Sequence, residues 1–342
     1  MMNHYKNPRS LIIRLISGLC LFIAALQPLA SLAEWHKKQQ AVMGTVIRVE
    51  LWHKDALQAQ RAIDAVMNEM IRIDRLMSPY IKTSELSRIN RDASMKPVAI
   101  STGLFKLIKR SLYFSKLTHG AFDITFASIG QFYDYRKKVH PSAEIIKKNI
   151  SKINYKHMIL NDKKQTIAFA VKGVKIDLGG IAKGYAVDNA IAILKRKGIK
   201  HAIVTAGGDS RIMGDRRGRP WVIGIRDPRK ARTMRGALPL IDTAVSTSGD
   251  YERYFVENGE HFHHILNPNT GTSARELRSV TILAADATTT DALSTSVFIL
   301  GQKKGLQLIE NLADTEAILI NQKNQLIFSS GLLKRDRKPA NR

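Results

Sequence analysis

The chain has 342 residues, of which 44% are hydrophobic, and its formal net charge is +25. This length and composition are typical of a globular protein with a large core in one or two domains. The Lys and Arg residues are scattered without a nucleic-acid-binding motif, so we expect solvated basic faces and no nucleic acid as partner. Such a charge also attracts phosphate-rich or acidic partners, and a peripheral contact with an anionic membrane surface stays open.

Residues 1–33 have the pattern of an export signal. A basic start is followed by a mostly apolar stretch, and Ser31 and Ala33 supply the small residues that a cleavage site requires. An uncleaved membrane anchor is the alternative, but Arg14 and Gln27 interrupt the apolar stretch. We therefore expect a cleavable signal peptide at 1–33 and an exported, periplasmic protein.

The only cysteine of the chain, Cys20, lies inside this signal segment. A lipid-attachment site requires a small residue directly before the cysteine, and Leu19 is not small, so we do not expect a lipid anchor. After cleavage the mature chain has no cysteine, which suits an oxidising compartment. The same absence excludes thiol catalysis and cysteine-ligated zinc from the mature chain.

Hydrophobic periodicity predicts an α+β fold with a largely antiparallel sheet and flanking helices, because hairpins and loops join most strands of the second half. Helices are expected over residues 56–77, 84–90, 101–118, 126–138, 141–153, 182–197, 289–300 and 305–312. Strands are expected over residues 40–53, 158–160, 166–171, 171–176, 202–205, 221–225, 244–246, 263–266, 279–284, 317–320 and 325–329. No linker stands out, so we expect one domain over 34–335 and a basic tail over 336–342.

The segment KIDLGGIAKGYAVD, residues 175–188, is the most informative in the chain. Its pattern predicts a strand that ends at Asp177, a turn through Gly179 and Gly180, and a helix that begins near Ile181. A glycine pair lets the backbone approach a ligand closely, and the free N–H groups of a helix start attract phosphate. The spacing matches neither the dinucleotide fingerprint nor the P-loop. On these residues alone, a phosphate site and an ordinary strand-to-helix connection both remain open.

Asp291 and Thr295 are four residues apart on a predicted helix, so their side chains share one face. A carboxylate and a hydroxyl in this arrangement can ligate Mg²⁺, which takes few protein oxygens and completes its shell with water and phosphates. A backbone carbonyl from the Gly179-Gly180 turn is a fitting third ligand. The alternative is an Asp that favours the helix dipole beside a Thr that is merely packed.

Two further segments carry side chains suited to proton transfer or ring binding. His263 and His264 precede a turn, and only one of them can face a site because neighbours on a strand point to opposite faces. Phe122 can stack on a flat ring, and Asp123 can bind a base edge or move a proton. Core packing and ordinary core or surface histidines are the alternatives for these residues.

Taken together and in their order along the chain, several short segments resemble the ApbE family of FAD:protein FMN transferases. The matches are Met43-Gly44-Thr45, DRLMSPY (74–80), SELSRIN (84–90), GAFDIT (120–125), KIDLGGIAKGYAVD (175–188), AGGD (206–209), STSGDYERYF (246–255), HHILNP (263–268) and TTTDALSTSVFILG (288–301). They span about residues 43–301, which is nearly the whole predicted mature chain. Each match is weak alone, and their common order makes the resemblance strong.

The resemblance implies a T-fold-like α+β architecture and an enzyme that binds FAD and Mg²⁺. Such enzymes transfer the FMN half of FAD to a Thr or Ser hydroxyl of an acceptor protein through a phosphoester and release AMP. The implied partner is an exported or membrane-associated flavin-acceptor protein. The alternatives in the same site are an FAD pyrophosphatase that gives FMN and AMP, and a non-catalytic periplasmic FAD carrier.

The resemblance also implies roles for individual residues. The positions that match the FAD site of the family are Met43, Tyr80, Ala121, Phe122, Asp123, Asp177, Lys183 and Ile265. The implied metal ligands are the carbonyl of Gly180 and the side chains of Asp291 and Thr295. A hydroxyl is a poor nucleophile at neutral pH, and His264 and Asp291 are the two candidates for the catalytic base.

Three positions depart from the usual family pattern. Family members often have alanine where Gly180 stands, and a carbonyl ligand needs no side chain, so this change leaves the metal site intact. Asn267 replaces a common acidic residue, and the run FASIGQFYDYR at 126–136 differs from the usual continuation. We interpret the last two departures as marks of a subgroup with its own acceptor.

Overall fold

The computed structural model of the protein describes residues 34–230 and 233–335. The predicted signal peptide at 1–33, with Cys20, and the predicted basic tail at 336–342 therefore lie outside the described residues. Within the described ranges, no helix combines the length and the apolar character that crossing a membrane requires.

An antiparallel sheet forms the framework of the molecule. The strands, in chain order, are β1 (Glu34–Val42), β2 (Thr45–His53), β3 (Val98–Ala99), β4 (Met158–Asn161), β5 (Thr166–Phe169), β6 (Ala202–Ala206), β7 (Asp209–Met213), β8 (Trp221–Arg226), β9 (Met234–Leu240), β10 (Ala244–Gly249), β11 (Tyr254–Glu257), β12 (Glu260–His263), β13 (Leu277–Ala284), β14 (Glu316–Asn321) and β15 (Leu326–Phe328). The main sheet has the order β1-β2-β6-β7-β10-β13-β14-β15, and each neighbouring pair is antiparallel. The predicted α+β class with a largely antiparallel sheet is confirmed.

The helices, in chain order, are α1 (Ala56–Met77), α2 (Glu85–Asp92), α3 (Thr102–Leu117), α4 (Ala127–Gly130), α5 (Ala143–Asn149), α6 (Ala182–Arg196), α7 (Ala287–Glu310) and α8 (Ser330–Arg335). Helices α1, α6 and α7 pack against one face of the main sheet, whereas Leu332 of α8 packs with Ile318 and Ile320 on the other face. The α1 helix has the predicted bounds because Asp55 caps it by accepting the N–H of Gln58, and its apolar stripe faces the core. Helix α6 lies between α1 and α7, and α7 packs on β10 and β13.

The other face of the sheet is covered by the β8–β9 ribbon. Ile282 and Leu283 are neighbours on β13 and belong to two different apolar clusters, as the alternation of a strand requires. Ile282 packs in the main core, whereas Leu283 joins Trp221 of β8 and Leu240 of β9. The central strands are therefore buried on both sides.

The predicted strand over residues 171–176 is wrong. Residues 171–173 form a bend and a turn, and the N–H groups of Lys175 and Ile176 donate to side chains instead of joining a sheet. Asn90 accepts the N–H of Ile176 at 2.7 Å and donates to its carbonyl at 2.8 Å, and Asp177 donates its N–H to the Ile124 carbonyl at 2.9 Å. One asparagine thus replaces a neighbouring strand and leads the chain into the Gly179-Gly180 turn.

The predicted helix over residues 126–138 is also wrong beyond its first turns. A 3₁₀ turn and the short α4 end at Gly130, and a tight turn follows in which Asp134 and Val139 exchange two backbone hydrogen bonds of 2.9 Å. The side chain of Asp134 accepts the N–H groups of Arg136 and Lys137, so it competes with helix formation.

The predicted strand over residues 40–53 is in fact a hairpin of β1 and β2. Met43 and Gly44 form its turn with φ values of 56° and 67°, and left-handed backbone at a methionine leaves no sequence signal. Likewise, β12 ends at His263, so the predicted strand over 263–266 holds only at its first residue. The two predicted helices at 289–300 and 305–312 form α7, which is interrupted at Gly301.

Candidate active site

Helices α6 and α7 approach each other so closely that only glycine fits between them. A Cβ atom at Gly184 would lie 2.1 Å from the carbonyl oxygen of Ala287 and 2.8 Å from Cβ of Asp291. Asp188, one turn further along α6, accepts the backbone N–H groups of Ala287 and Thr288, both at 2.9 Å. The first turn of α7 is therefore fixed against α6, and Asp291 follows in its second turn.

One ammonium group lies between two buried carboxylates at this contact. Lys183 Nζ donates to Asp209 Oδ2 at 2.5 Å and lies 3.3 Å from Asp291 Oδ1. Asp291 Oδ2 also accepts the N–H of Gly184 at 2.9 Å. Burial, reinforced by Asp209, raises the pKa of Asp291 to about 7. Burial opposes the charge on Lys183, but the two carboxylates outweigh it and raise the pKa of Lys183 above its usual range.

The Gly180 turn and Thr295 meet beside this cluster. A methyl group at position 180 would lie 3.2 Å from Thr295 Oγ1 and 3.3 Å from Phe122 Cε2. Ser248 Oγ is 3.4 Å from Thr295 Oγ1. The three predicted metal ligands, Gly180, Asp291 and Thr295, are thus brought to one place from two distant parts of the chain.

The donor set at this place fits Mg²⁺. A carboxylate, a hydroxyl and a backbone carbonyl are the oxygen ligands that this cation prefers, with water and phosphate completing the shell. The Asp291 carboxylate already accommodates a positive charge, because Lys183 lies beside it. Over the described ranges, no three His, Cys, Asp or Glu side chains form a metal-binding group, so any site here relies on hydroxyl and carbonyl oxygens as well.

Several residues predicted for FAD line the approach to the Gly180 turn. Phe122 is buried, packs edge-on against Phe114, and faces position 180. Asp177 accepts the N–H of Gly179 at 2.6 Å, and burial raises the pKa of its carboxyl group. Ala121 and Asp123 are buried on either side of Phe122. Phe122 and the Gly179-Gly180 turn therefore lie directly beside the candidate ligand Thr295.

The carboxylate of Asp123 is engaged by the protein itself. One oxygen accepts the N–H and the hydroxyl of Thr125 at 2.8 and 2.6 Å, and the other accepts the N–H of Tyr155 at 2.7 Å. Burial is the main reason that the pKa of Asp123 is raised. The residue therefore caps the 3₁₀ turn Ile124–Phe126, which follows Phe122, whatever contact it makes with a ligand.

The two neighbouring histidines differ in their surroundings. His263 donates through Nε2 to the Ala274 carbonyl at 2.6 Å and accepts the N–H of Ile265 at Nδ1, so both ring nitrogens are used. His264 Nδ1 is buried and has no partner among the described residues. Burial, followed by the charge of Arg253, lowers the pKa of His264 to about 3. The geometry therefore leaves His264 as the neutral imidazole with a free nitrogen.

The remaining predicted residues are more dispersed. Met43 lies in the β1–β2 turn, where a Cβ atom at Gly44 would be 3.4 Å from Arg253 Nη2. Ile265 is buried directly after His264. Tyr80 is 84% exposed and lies near Tyr135, whose hydroxyl donates to the His263 carbonyl at 3.3 Å.

The sequence patterns do not single out two charged residues that the fold brings into the site. Asp209 follows a glycine pair, which predicts only a close backbone approach, yet its carboxylate binds Lys183. Arg253 lies near both Asp177 and His264, so its positive charge acts to lower the pKa of each group. Within the described ranges, Arg253 forms no ion pair. Two sequence signals could have revealed Asp209 and Arg253. One is the acidic residue directly after a glycine pair, and the other is the arginine within STSGDYERYF.

Comparison with known proteins identifies the family of the chain. The model of the ApbE family matches residues 43–319 of the chain. The FAD:protein FMN transferase of Haemophilus influenzae is 30% identical over 339 residues, which cover 93% of this chain and 96% of that protein. The FAD:protein FMN transferase of Vibrio cholerae is 30% identical over 306 residues, which cover 84% and 90%.

Solved structures give the same result for the fold. The ApbE protein of Thermotoga maritima superposes with a TM-score of 0.82 at 35% identity, covering 89% of this chain and 100% of that chain. The flavin transferase ApbE of Vibrio cholerae superposes with a TM-score of 0.77 at 28% identity, covering 88% and 99%. The extent of the family match confirms the resemblance, and the chain belongs to the ApbE family.

Proposed function

We propose that the protein transfers FMN from FAD to a Ser or Thr hydroxyl of an exported acceptor protein and releases AMP. The observation that carries the proposal is the meeting of the Gly180 turn, Lys183 and the Asp291–Thr295 pair in one buried cluster. Membership of the family supports flavin transfer as the reaction. The export pattern at residues 1–33 supports a periplasmic site of action.

The binding of FAD follows from the charges and shapes around the cluster. Phe122 and the Met43 turn offer apolar surface for the flavin, and Lys183 and Arg253 supply positive charge for the pyrophosphate. Helix α6 begins at Ala182, beside Gly180, so the positive end of its dipole also favours the phosphates. Asp209 and Asp291 hold Lys183 in place.

The Mg²⁺ ion would be held by Asp291, Thr295 and the carbonyl of Gly180. When bound there, it supplies positive charge that offsets the negative charge of the phosphate oxygens. The protein supplies a second positive charge through Lys183 and holds the groups in fixed positions, so that little reorganisation is needed during the reaction.

The chemical step is a displacement at the phosphorus of the FMN half. The acceptor hydroxyl oxygen forms a bond to this phosphorus, the bond to the bridging oxygen breaks, and AMP leaves with that oxygen. The hydroxyl proton goes to a base. His264 suits this role better than Asp291, because its Nδ1 has no partner in the described part of the chain while both Asp291 oxygens are near donors.

The low pKa of His264 is compatible with this role. Arg253 and Lys183 both contribute to lowering it, after burial. Phosphates bound beside these cations neutralise them, which raises the pKa of His264 in the FAD complex toward its ordinary value. The base therefore strengthens when the substrate is bound.

The experiment that tests the proposal incubates the mature chain with FAD and Mg²⁺, with and without exported proteins from cells that lack this gene. Transfer gives a protein band that stays fluorescent after denaturation, together with AMP that depends on the acceptor. Hydrolysis gives AMP and free FMN without such a band, and a carrier gives neither product. Lys183→Met is the matched inactive variant, and Arg72→Met, on exposed surface of α1, is the control.

A further inference from the structure

Residues 132–139 form a well-braced turn on the surface next to the candidate active site. Asp134 and Val139 close the turn with two backbone hydrogen bonds, and Asp134 Oδ1 accepts two further N–H groups at 3.1 Å. The turn presents three consecutive exposed cations, Arg136, Lys137 and Lys138. We call residues 132–139 the basic turn.

A ladder of rings anchors the basic turn to the β11–β12 ribbon. Tyr133 stacks on Tyr135 with 5.6 Å between ring centroids, and Tyr135 packs against Phe255 at 6.2 Å. Phe255 stacks on Phe262 at 5.1 Å, and His140 stacks on Phe262 at 4.3 Å from the other end of the turn. The position of the three cations is therefore set by packed side chains on both sides.

The same anchor ties the basic turn to the site. Tyr135 Oη donates to the carbonyl of His263 at 3.3 Å, and the next residue is His264, the candidate base. Tyr133 Oη donates to the Gly271 carbonyl at 3.1 Å, which braces the loop that follows Ile265. A segment that lies on the basic turn therefore lies beside the place where an acceptor hydroxyl must enter.

The charge of the basic turn is largely uncompensated. Lys137 is 3.7 Å from Asp134, while Arg136 and Lys138 form no ion pair with a carboxylate in the described part of the chain. Glu257, a nearby acid on β11, is already bonded to His140 at 2.8 Å. Two apolar side chains flank the cations, since Phe132 and Val139 are 36% and 47% exposed. The surface thus offers positive charge bordered by apolar area.

We propose that the basic turn is the docking site for an acidic segment of the acceptor protein, next to the hydroxyl that receives FMN. The inference rests on the proposed transfer reaction. It commits to a protein partner because the turn is joined through His263 to the catalytic groups. Charge complementarity at this position orients the acceptor and excludes neutral or basic chains. A site that binds a membrane surface would not need this connection through His263 to the catalytic groups.

The test compares two triple variants of the full mature chain. Arg136→Glu, Lys137→Glu and Lys138→Glu reverse the basic turn, and Lys195→Glu, Arg196→Glu and Lys197→Glu make the same charge change at the far end of α6. The probes are two labelled peptides with one central Thr, flanked by four Asp or Glu residues in one and by Asn and Gln in the other. Fluorescence anisotropy is measured in the presence of FAD.

The wild-type protein and the 195–197 variant are expected to bind the acidic peptide about tenfold more tightly than the amide peptide. The 136–138 variant is expected to lose this preference while its Kd for FAD stays within about twofold. Equal binding of both peptides by the wild type, or a preserved preference in the 136–138 variant, would overturn the proposal.

Two further outcomes separate this inference from other accounts. Binding of anionic lipid vesicles that depends on residues 136–138, without any preference between the peptides, assigns the turn to a membrane and overturns the docking proposal. Failure of the wild type to flavinylate any exported protein, with the peptide preference intact, contradicts the proposed reaction and leaves the acidic docking site standing.

Discussion

The ammonium of Lys183 donates a 2.5 Å hydrogen bond to the buried carboxylate of Asp209. The same ammonium lies 3.3 Å from Asp291 Oδ1, so it interacts with two buried carboxylates at once. With all three groups ionised, the cluster has one positive and two negative charges, so loss of the ammonium without another cation in its place leaves two buried carboxylates unpaired.

Lys183→Met is expected to lower the free energy of unfolding by about 3 kcal/mol in EDTA at pH 7, because it leaves two buried carboxylates facing each other. Adding Asp209→Asn to Lys183→Met removes one of these charges and should restore at least about 1 kcal/mol of the lost free energy of unfolding. Urea unfolding of the two single variants and the double variant measures this coupling. Strictly additive effects would show that the two side chains do not interact as described.

Gly184→Ala is expected to destabilise the protein by about 1–3 kcal/mol and to lower the transfer rate, because the new methyl group collides with the Ala287 carbonyl and moves Asp291. Gly236→Ala, on β9, meets no atom within 4 Å and serves as the control. Thermal unfolding and initial rates are the measurements. A stable and fully active Gly184→Ala protein would contradict the close contact of α6 and α7.

Arg253→Ala is expected to raise the Kd for FAD about ten- to a hundredfold, because a charge-assisted hydrogen bond to phosphate is lost. Arg253→Lys keeps the charge without the planar donors, so its Kd for FAD should lie between those of the wild type and Arg253→Ala. Flavin fluorescence titration gives the affinities, with Arg72→Ala as the control. FMN lacks the AMP half of FAD. If Arg253→Ala weakens the binding of FMN and of FAD equally, Arg253 contacts the phosphate that the two ligands share.

His263 should make the fold sensitive to acid. Burial lowers the pKa of His263 to about 4 in the folded protein, from its ordinary value of 6.5. Between these values the unfolded chain binds the proton and the folded chain does not, so stability is complete above pH 6.5 and falls as the pH drops toward 4. The loss is on the order of 2–3 kcal/mol.

The measurement for this prediction is the urea midpoint between pH 7 and pH 4.5 for the wild type and for His263→Gln. The variant should be less stable at pH 7 and should lose less stability on acidification. His36→Gln, at the edge strand, is the matched control. Identical pH profiles for wild type and His263→Gln would show that His263 is already charged in the folded state.

The parts of the fold that follow from local chemistry could be predicted from the sequence. Helix α1 has a capping Asp55 and an apolar stripe, and α3 starts after Ser101, so their bounds appear directly in the pattern. The terminal hairpin of β14 and β15 likewise follows from two apolar runs around a polar turn. In each case the deciding interactions are within a few residues.

The parts that depend on distant residues could not be predicted in this way. The backbone of Ile176 bonds to the side chain of Asn90 instead of a neighbouring strand, and no local pattern predicts a contact across 86 residues. The Lys183–Asp209 pair likewise joins two segments that look like ordinary glycine turns. The Gly180–Thr295 meeting was accessible only through the family resemblance, because spacing along one helix does not say which turn lies opposite.

The role of Asp291 tests the account most directly. AMP release from FAD in the presence of an acceptor is measured across a Mg²⁺ titration for the wild type, Asp291→Ala and Asp291→Asn, with Asp286→Asn as the control at the start of the same helix. The account predicts metal-dependent AMP release by the wild type and the control, and none by either Asp291 variant at any Mg²⁺ concentration. Undiminished metal-dependent release by Asp291→Ala would contradict the metal site and the mechanism built on it.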